Sequence, residues 1–152
     1  MIDFKEKIET KPGCANYLIL PLPLFNRQGI SVAINFARQV YNTSVPTDIL
    51  DEYLNYRVDE FNRKSINGVE VYLLYFKLLD YTVNIVHNNI TMRVNENQVE
   101  KLIEFLKNFN AIDFYITYRI KDIMTKDSYM YFLKRFMKEK DVTNLHIINP
   151  YR

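Results

Sequence analysis

Cysteine is almost missing from this chain of 152 residues: Cys14 stands alone, so no disulfide can close within it, and a reducing compartment is the simpler expectation. Tryptophan is absent, and glycine occurs only at Gly13, Gly29 and Gly68, each isolated. Phosphate-cradling loops and dinucleotide fingerprints need clustered glycines, so neither can be assembled. No apolar run approaches the ~18 residues of a membrane span, and the charged start Met1-Ile-Asp-Phe-Lys-Glu-Lys lacks the apolar stretch of a signal peptide. Net charge is only +2, too little to draw the molecule as a whole onto nucleic acid or an anionic membrane. The expectation is a cytoplasmic protein with no membrane partner.

What is present is globular. Apolar residues make up 48% and charged residues 25%, which argues against disorder. A chain of this length fits a single domain over residues 1–152, burying roughly two thirds of its unfolded surface. The 12 Tyr and 10 Phe, with abundant Ile, Asn and Lys, are the residues AT-rich codons supply. That bias suggests a bacterial or phage gene, often a horizontally mobile one.

The centre of the pattern is Val69 to Val94. From Val71 to Phe76 both alternating faces are apolar, as in a strand buried on both sides. Thr82–His87 and Ile90–Val94 alternate instead, with one face buried and one wet. Asp80-Tyr81 and Asn88-Asn89 are short enough for hairpin loops. An antiparallel meander of three strands is therefore expected, its first strand central.

Around it, residues 2–9 suggest one or two helical turns, and Tyr17–Leu20 a short strand closed by Pro21 and Pro23. Ile30–Tyr41 has helical period and is apolar around most of its circumference; only Ser31, Asn35, Arg38 and Gln39 form a polar stripe. Thr47 can cap a following helix with Leu50, Leu54, Val58 and Phe61 as its buried stripe, in which Arg57 pairs with Glu60 or snorkels. Asn67 or Gly68 suits its left-handed cap. Asn95 caps the next helix, with Gln98 three residues on. Ile112–Ile120 reads as a strand with Tyr115, Thr117 and Arg119 on the side away from the core. Asp127 or Ser128 opens a last helix, and Leu145–Ile148 closes the chain as a strand. Strand and helix alternate in this tail, which favours parallel pairing. The fold class expected is α+β (mixed α/β): an antiparallel meander continuing into a mixed sheet with about four helices packed on it.

No catalytic signature rises above its ordinary structural explanation. His87 is in phase with Val83 and Ile85 and reads as a rim histidine; His146 is out of phase with its neighbours. Neither has a metal-ligand partner at useful spacing, and neither is followed two residues later by the Thr or Ser of a two-histidine phosphodiesterase. Cys14 has no local base to activate it. Asp51-Glu52 and Asp59-Glu60 read as a solvated face. The expectation is a non-enzyme needing no cofactor and no metal.

Two surfaces remain. Arg93, Tyr115, Thr117 and Arg119 combine the residue types enriched at protein–protein hot spots. The last helix presents Met130, Tyr131, Lys134 and Arg135, followed by Lys138 and Lys140, a pattern that could also grip phosphates and stack bases. Exclusion of chemistry and these two surfaces point to another protein as the partner. An immunity protein or antitoxin that neutralises a cognate toxin by direct occlusion fits best. The alternative is a nucleic-acid-binding accessory protein using the basic last helix.

Overall fold

A computed structural model describes residues 2–9, 12–66 and 68–149. Its centre is β4, Val69–Asn84, a continuous strand of 16 residues. The expected hairpin at Asp80-Tyr81 does not form. Tyr81 does not favour the positive φ a two-residue turn needs, and extended backbone there sets Asp80 opposite Arg93 on β5 (Asn89–Val94) and Tyr81 opposite Met92. The second turn falls at residues 85–88 rather than at Asn88-Asn89: Asn84 pairs with Asn89, Asn88 takes φ 47°, and the strand expected over Thr82–His87 stops at Asn84.

The third strand of the meander precedes β4 rather than following it. Residues Tyr56–Ile66 form β3, antiparallel to β4, where a helix was expected. Only Thr47–Leu50 is helical there, as one 3-10 turn. Tyr56 and Val58 alternate with Arg57 and Asp59, and pairing with a central strand overrides the helical spacing of Leu50, Leu54 and Val58. Gly68, at φ +80°, lies at the hairpin between β3 and β4 instead of capping a helix. Asn67 and the Phe61 side chain lie outside the described residues. Arg57 consequently pairs with Asp48 and with Asp59, not with Glu60.

The remaining strands are parallel. They are β1 (Asp3–Lys5), β2 (Tyr17–Pro23), β6 (Phe114–Thr117) and β7 (Leu145–Ile148). The order is β1-β7-β6-β2-β4-β3, with β5 also on β4, giving seven strands among the described residues. The segment expected to start in helical turns is thus the edge strand β1, paired with β7. Parallel pairing of β6 with β7 agrees with the strand–helix alternation of the tail.

Among the described residues the α-helices number three, because the Thr47 segment does not extend beyond its turn. Helix α1 spans Ile30–Tyr41, as its period predicts, but only Ala33, Ala37 and Tyr41 are buried. Helices α2 (Glu96–Asn108) and α3 (Lys126–Lys138) cover the opposite face of the sheet. Asn95 caps α2 by accepting from the Gln98 amide, 3.0 Å. Thr125, not Asp127 or Ser128, caps α3, its hydroxyl accepting from the Ser128 amide. Two apolar layers result. Leu74, Phe76, Phe114 and Ile116 pack beneath α2 and α3, while Leu18, Leu20, Leu73, Tyr75 and Tyr115 pack beneath α1.

One feature of β4 shapes the surface. Leu79 pairs with Pro23 of β2 on one side and Val94 of β5 on the other. Beyond Leu79, β2 has ended, so Asp80–Asn84 and Asn89–Arg93 project as a two-stranded arm. Its tip exposes Val83 (52%), Ile85 (89%) and Val86 (87%). His87 sits at this tip, exposed, and not toward the core. Among the described residues, no helix is long and apolar enough to cross a membrane.

Candidate functional site

Between α1 and the base of the arm lies an open groove of about 640 Å³. Tyr41 sets one wall: its hydroxyl donates to the Pro21 carbonyl at 2.7 Å, and its ring meets Phe36 edge to face at 5.7 Å. These contacts hold the C-terminal end of α1 on β2, and the helix stops at Asn42 in the left-handed conformation, φ 51°. The other wall depends on Thr117. Its hydroxyl accepts from the Arg119 amide at 3.3 Å and turns the chain from β6 into a 3-10 segment, Tyr118–Asp122. Arg119 then stands 3.9 Å from Asp122.

The groove is apolar at its floor and polar at its rim. Val32, Phe36, Ile90, Met92 and Ile123 provide carbon surface; Ser31, Asn35 and Gln39 rim one side, and Thr117, Arg119 and Asp122 the other. Of the polar stripe of α1, Ser31, Asn35 and Gln39 face this groove and Arg38 does not line it. Ser31 and Thr117 bring hydroxyls, but no lining residue is a histidine or lysine that could activate one. Chemically the rim offers amide and hydroxyl hydrogen bonds and a charge pair around apolar side chains. A protein interface has the same anatomy.

The expected partner-binding residues divide among three places. Thr117 and Arg119 meet at the groove. Arg93 is exposed on the opposite, polar face of the arm, out of register with Ile90 and Met92. Met130, Tyr131, Lys134 and Arg135 lie on α3, with Met130 and Lys134 exposed.

One of the expectations needs correction. Tyr115 is 1% exposed and cannot be a surface contact. Four-residue β6 is covered on both faces, so strand alternation no longer separates core from solvent there. The Tyr115 hydroxyl accepts from the Glu9 amide at 3.3 Å, and burial pushes its pKa upward. Arg135 is already engaged. It grips Glu100 with two bonds of 2.6 and 2.8 Å and Glu139 at 2.7 Å, while Lys107 also reaches Glu139. Those hydrogen bonds raise the guanidinium pKa and hold both carboxylates below their ordinary value. Arg135 thus bridges α3 to α2 through Glu100.

Sequence reasoning missed a second polar cluster. His146 is 4% exposed, with Nδ1 against Asp3 of β1 and Nε2 2.8 Å from Asp113, and its ring lies 5.2 Å from that of Tyr115. The cluster ties β1 and the start of β6 to β7. No periodicity could reveal it, because Asp3 and His146 are 143 positions apart. Cys14 is exposed and free. Among the described residues, no group of three or more acidic, histidine or cysteine side chains could hold a metal ion.

No protein-family model, curated protein or solved structure matches this chain.

Proposed function

We propose that this chain is a cytoplasmic protein-binding module that neutralises a partner protein by occlusion, in the manner of an immunity protein or antitoxin. The observation that carries the reading is the groove between α1 and the arm. Its apolar floor is ringed by Asn35, Gln39, Thr117 and Arg119, so one partner side chain can be buried while its neighbours find hydrogen bonds. A scaffold of this kind needs no chemistry of its own. The nucleic-acid alternative rests on α3, where the engagement of Arg135 by Glu100 and Glu139 weighs against it.

The test is co-expression with the product of the neighbouring gene, followed by co-purification and a growth assay. A complex that restores growth supports the reading. Gln39→Ala with Arg119→Ala should then weaken the complex by ~10-fold or more, the loss expected of a hot spot, with the melting temperature unchanged. Unchanged affinity in that double variant refutes the groove as the contact. Retention on DNA that falls steeply with salt would favour the alternative instead.

A further inference from the structure

We infer that the free edge of the arm is a pairing edge for a second copy of this chain. The backbone geometry carries the argument. Val94 donates its amide away from β4 to the Ser128 hydroxyl, and the Met92 carbonyl accepts from Thr125 on that same outer side. Their partners on β4, Leu79 and Tyr81, must therefore direct their peptide groups away from β5. The Leu79 carbonyl does so and accepts from Leu24, the last contact that the β2 segment makes there. By the same alternation Tyr81 and Val83 face outward, beyond the end of β2, and no hydrogen bond to either backbone is found among the described residues.

This edge differs from the others in the sheet. Edge strand β3 carries Arg57, Asp59, Glu60, Arg63 and Lys64, the charges that discourage strand addition. Edge strand β1 has only three residues. The outer side of β5 is capped at Met92 and Val94 by Thr125 and Ser128. The Tyr81–Asn84 edge has no charge, no proline and no backbone cap; the Tyr81 side chain is half-buried with its hydroxyl against Gly29, and exposed Val83, Ile85 and Val86 adjoin the rest. A two-stranded ribbon alone is marginal in water, and a third strand stabilises it.

The occupant follows from symmetry. Tyr81 and Val83 each present one donor and one acceptor, evenly placed about Thr82. An antiparallel copy related by a twofold axis at Thr82 sets Tyr81 against Val83 of the second copy and the reverse, making about four hydrogen bonds. The result is a four-stranded ribbon, β5-β4 continued by β4-β5 of the copy. The groove plays no part in this contact, so the inference stands apart from the proposed function.

The experiment is light scattering and sedimentation of the full chain from micromolar to millimolar concentration. The expected result is a rise toward twice the 18.3 kDa mass of one chain. Val83→Lys should raise the dimer dissociation constant by more than ~10-fold, as an edge charge and a lost contact would. Arg93→Ala, on the polar face, should leave it unchanged. Amide exchange gives a readout that needs no variant: Tyr81 and Val83 should become protected as concentration rises, while the Thr82 amide, which faces β5, is protected throughout. A chain that stays at one mass with those two amides unprotected, or a dimer that survives Val83→Lys, overturns the proposal.

Discussion

The side-chain amide of Gln98 donates to the backbone carbonyl of Lys77 at 2.6 Å, where β4 changes partners from β3 to β5. A second bond reaches Asn55, whose carbonyl accepts from the Lys77 amide. Gln98 therefore fills the break between two strands on one side of β4. Gln98→Ala leaves a buried carbonyl without its donor and should cost about 1–3 kcal/mol. Chemical denaturation measures the loss, and amide exchange should place the added opening at Lys77–Leu79.

Lys77 itself is buried, its ammonium donating to the Asp51 carbonyl above the Phe25 ring. Burial lowers its pKa below 10.5, with Asp51 and Glu52 opposing in part. Between the lowered value and 10.5 the unfolded chain binds more protons than the folded one, so this group makes stability rise with pH across that window. Below it the cost of burying the charge is present in full. Relative to Lys77→Met, the wild-type chain should gain stability as pH climbs from neutral toward 10.5, by about 1.4 kcal/mol for each pKa unit of depression. Urea melts of both proteins across that range test the sign.

The Arg135 bridge acts at the acid end. Its hydrogen bonds depress the pKa values of Glu100 and Glu139, so their contribution is complete above 4.5 and fades as pH falls through the folded-state values. Arg135→Gln should lower the melting temperature at neutral pH. The gap from the wild-type chain should close once both carboxylates are protonated.

Gly29 precedes α1, and a Cβ there would run into the Tyr81 hydroxyl and the Cβ of Phe25. Gly29→Ala should destabilise by about 1–3 kcal/mol, the range for overpacking. Gly29→Ala combined with Tyr81→Phe removes the clashing hydroxyl and should recover part of that loss.

Asp3→Ala should loosen β1 while sparing the rest of the sheet, because it removes the His146 contact from a strand of three residues that pairs with β7 alone among the described strands. Faster amide exchange confined to the β1–β7 pair is the expected signature. Exchange that rises across β2 and β4 as well would show that the edge and centre open together.

Much of the architecture was legible where one periodicity dominates. Helix α1 follows the apolar spacing from Ile30 to Tyr41, and the doubly apolar run from Val71 to Phe76 marks the centre of β4. Misreading arose where two patterns compete. Leu50, Leu54 and Val58 have helical spacing, yet Asn67-Gly68 between Ile66 and Val69 is the stronger local signal, that of a hairpin. Reading it as a helix cap hid β3. Tyr115 was misplaced because a short strand covered on both sides looks amphipathic by sequence alone. Thr117, Arg119 and the polar stripe of α1 were each visible, but their meeting in one groove depends on β2 lying between β4 and β6, which no local pattern encodes.

The pairing of β1 with β7 also bears on how the molecule comes into being. A nascent chain leaving the ribosome must hold residues 3–5 without a strand neighbour until residues 145–148 have been synthesised. Only then can that edge close, and by then β4 has long been able to join β3 and β5. Such distant pairings slow refolding, placing it between the microseconds of a fast helical bundle and the seconds of a slow all-β barrel.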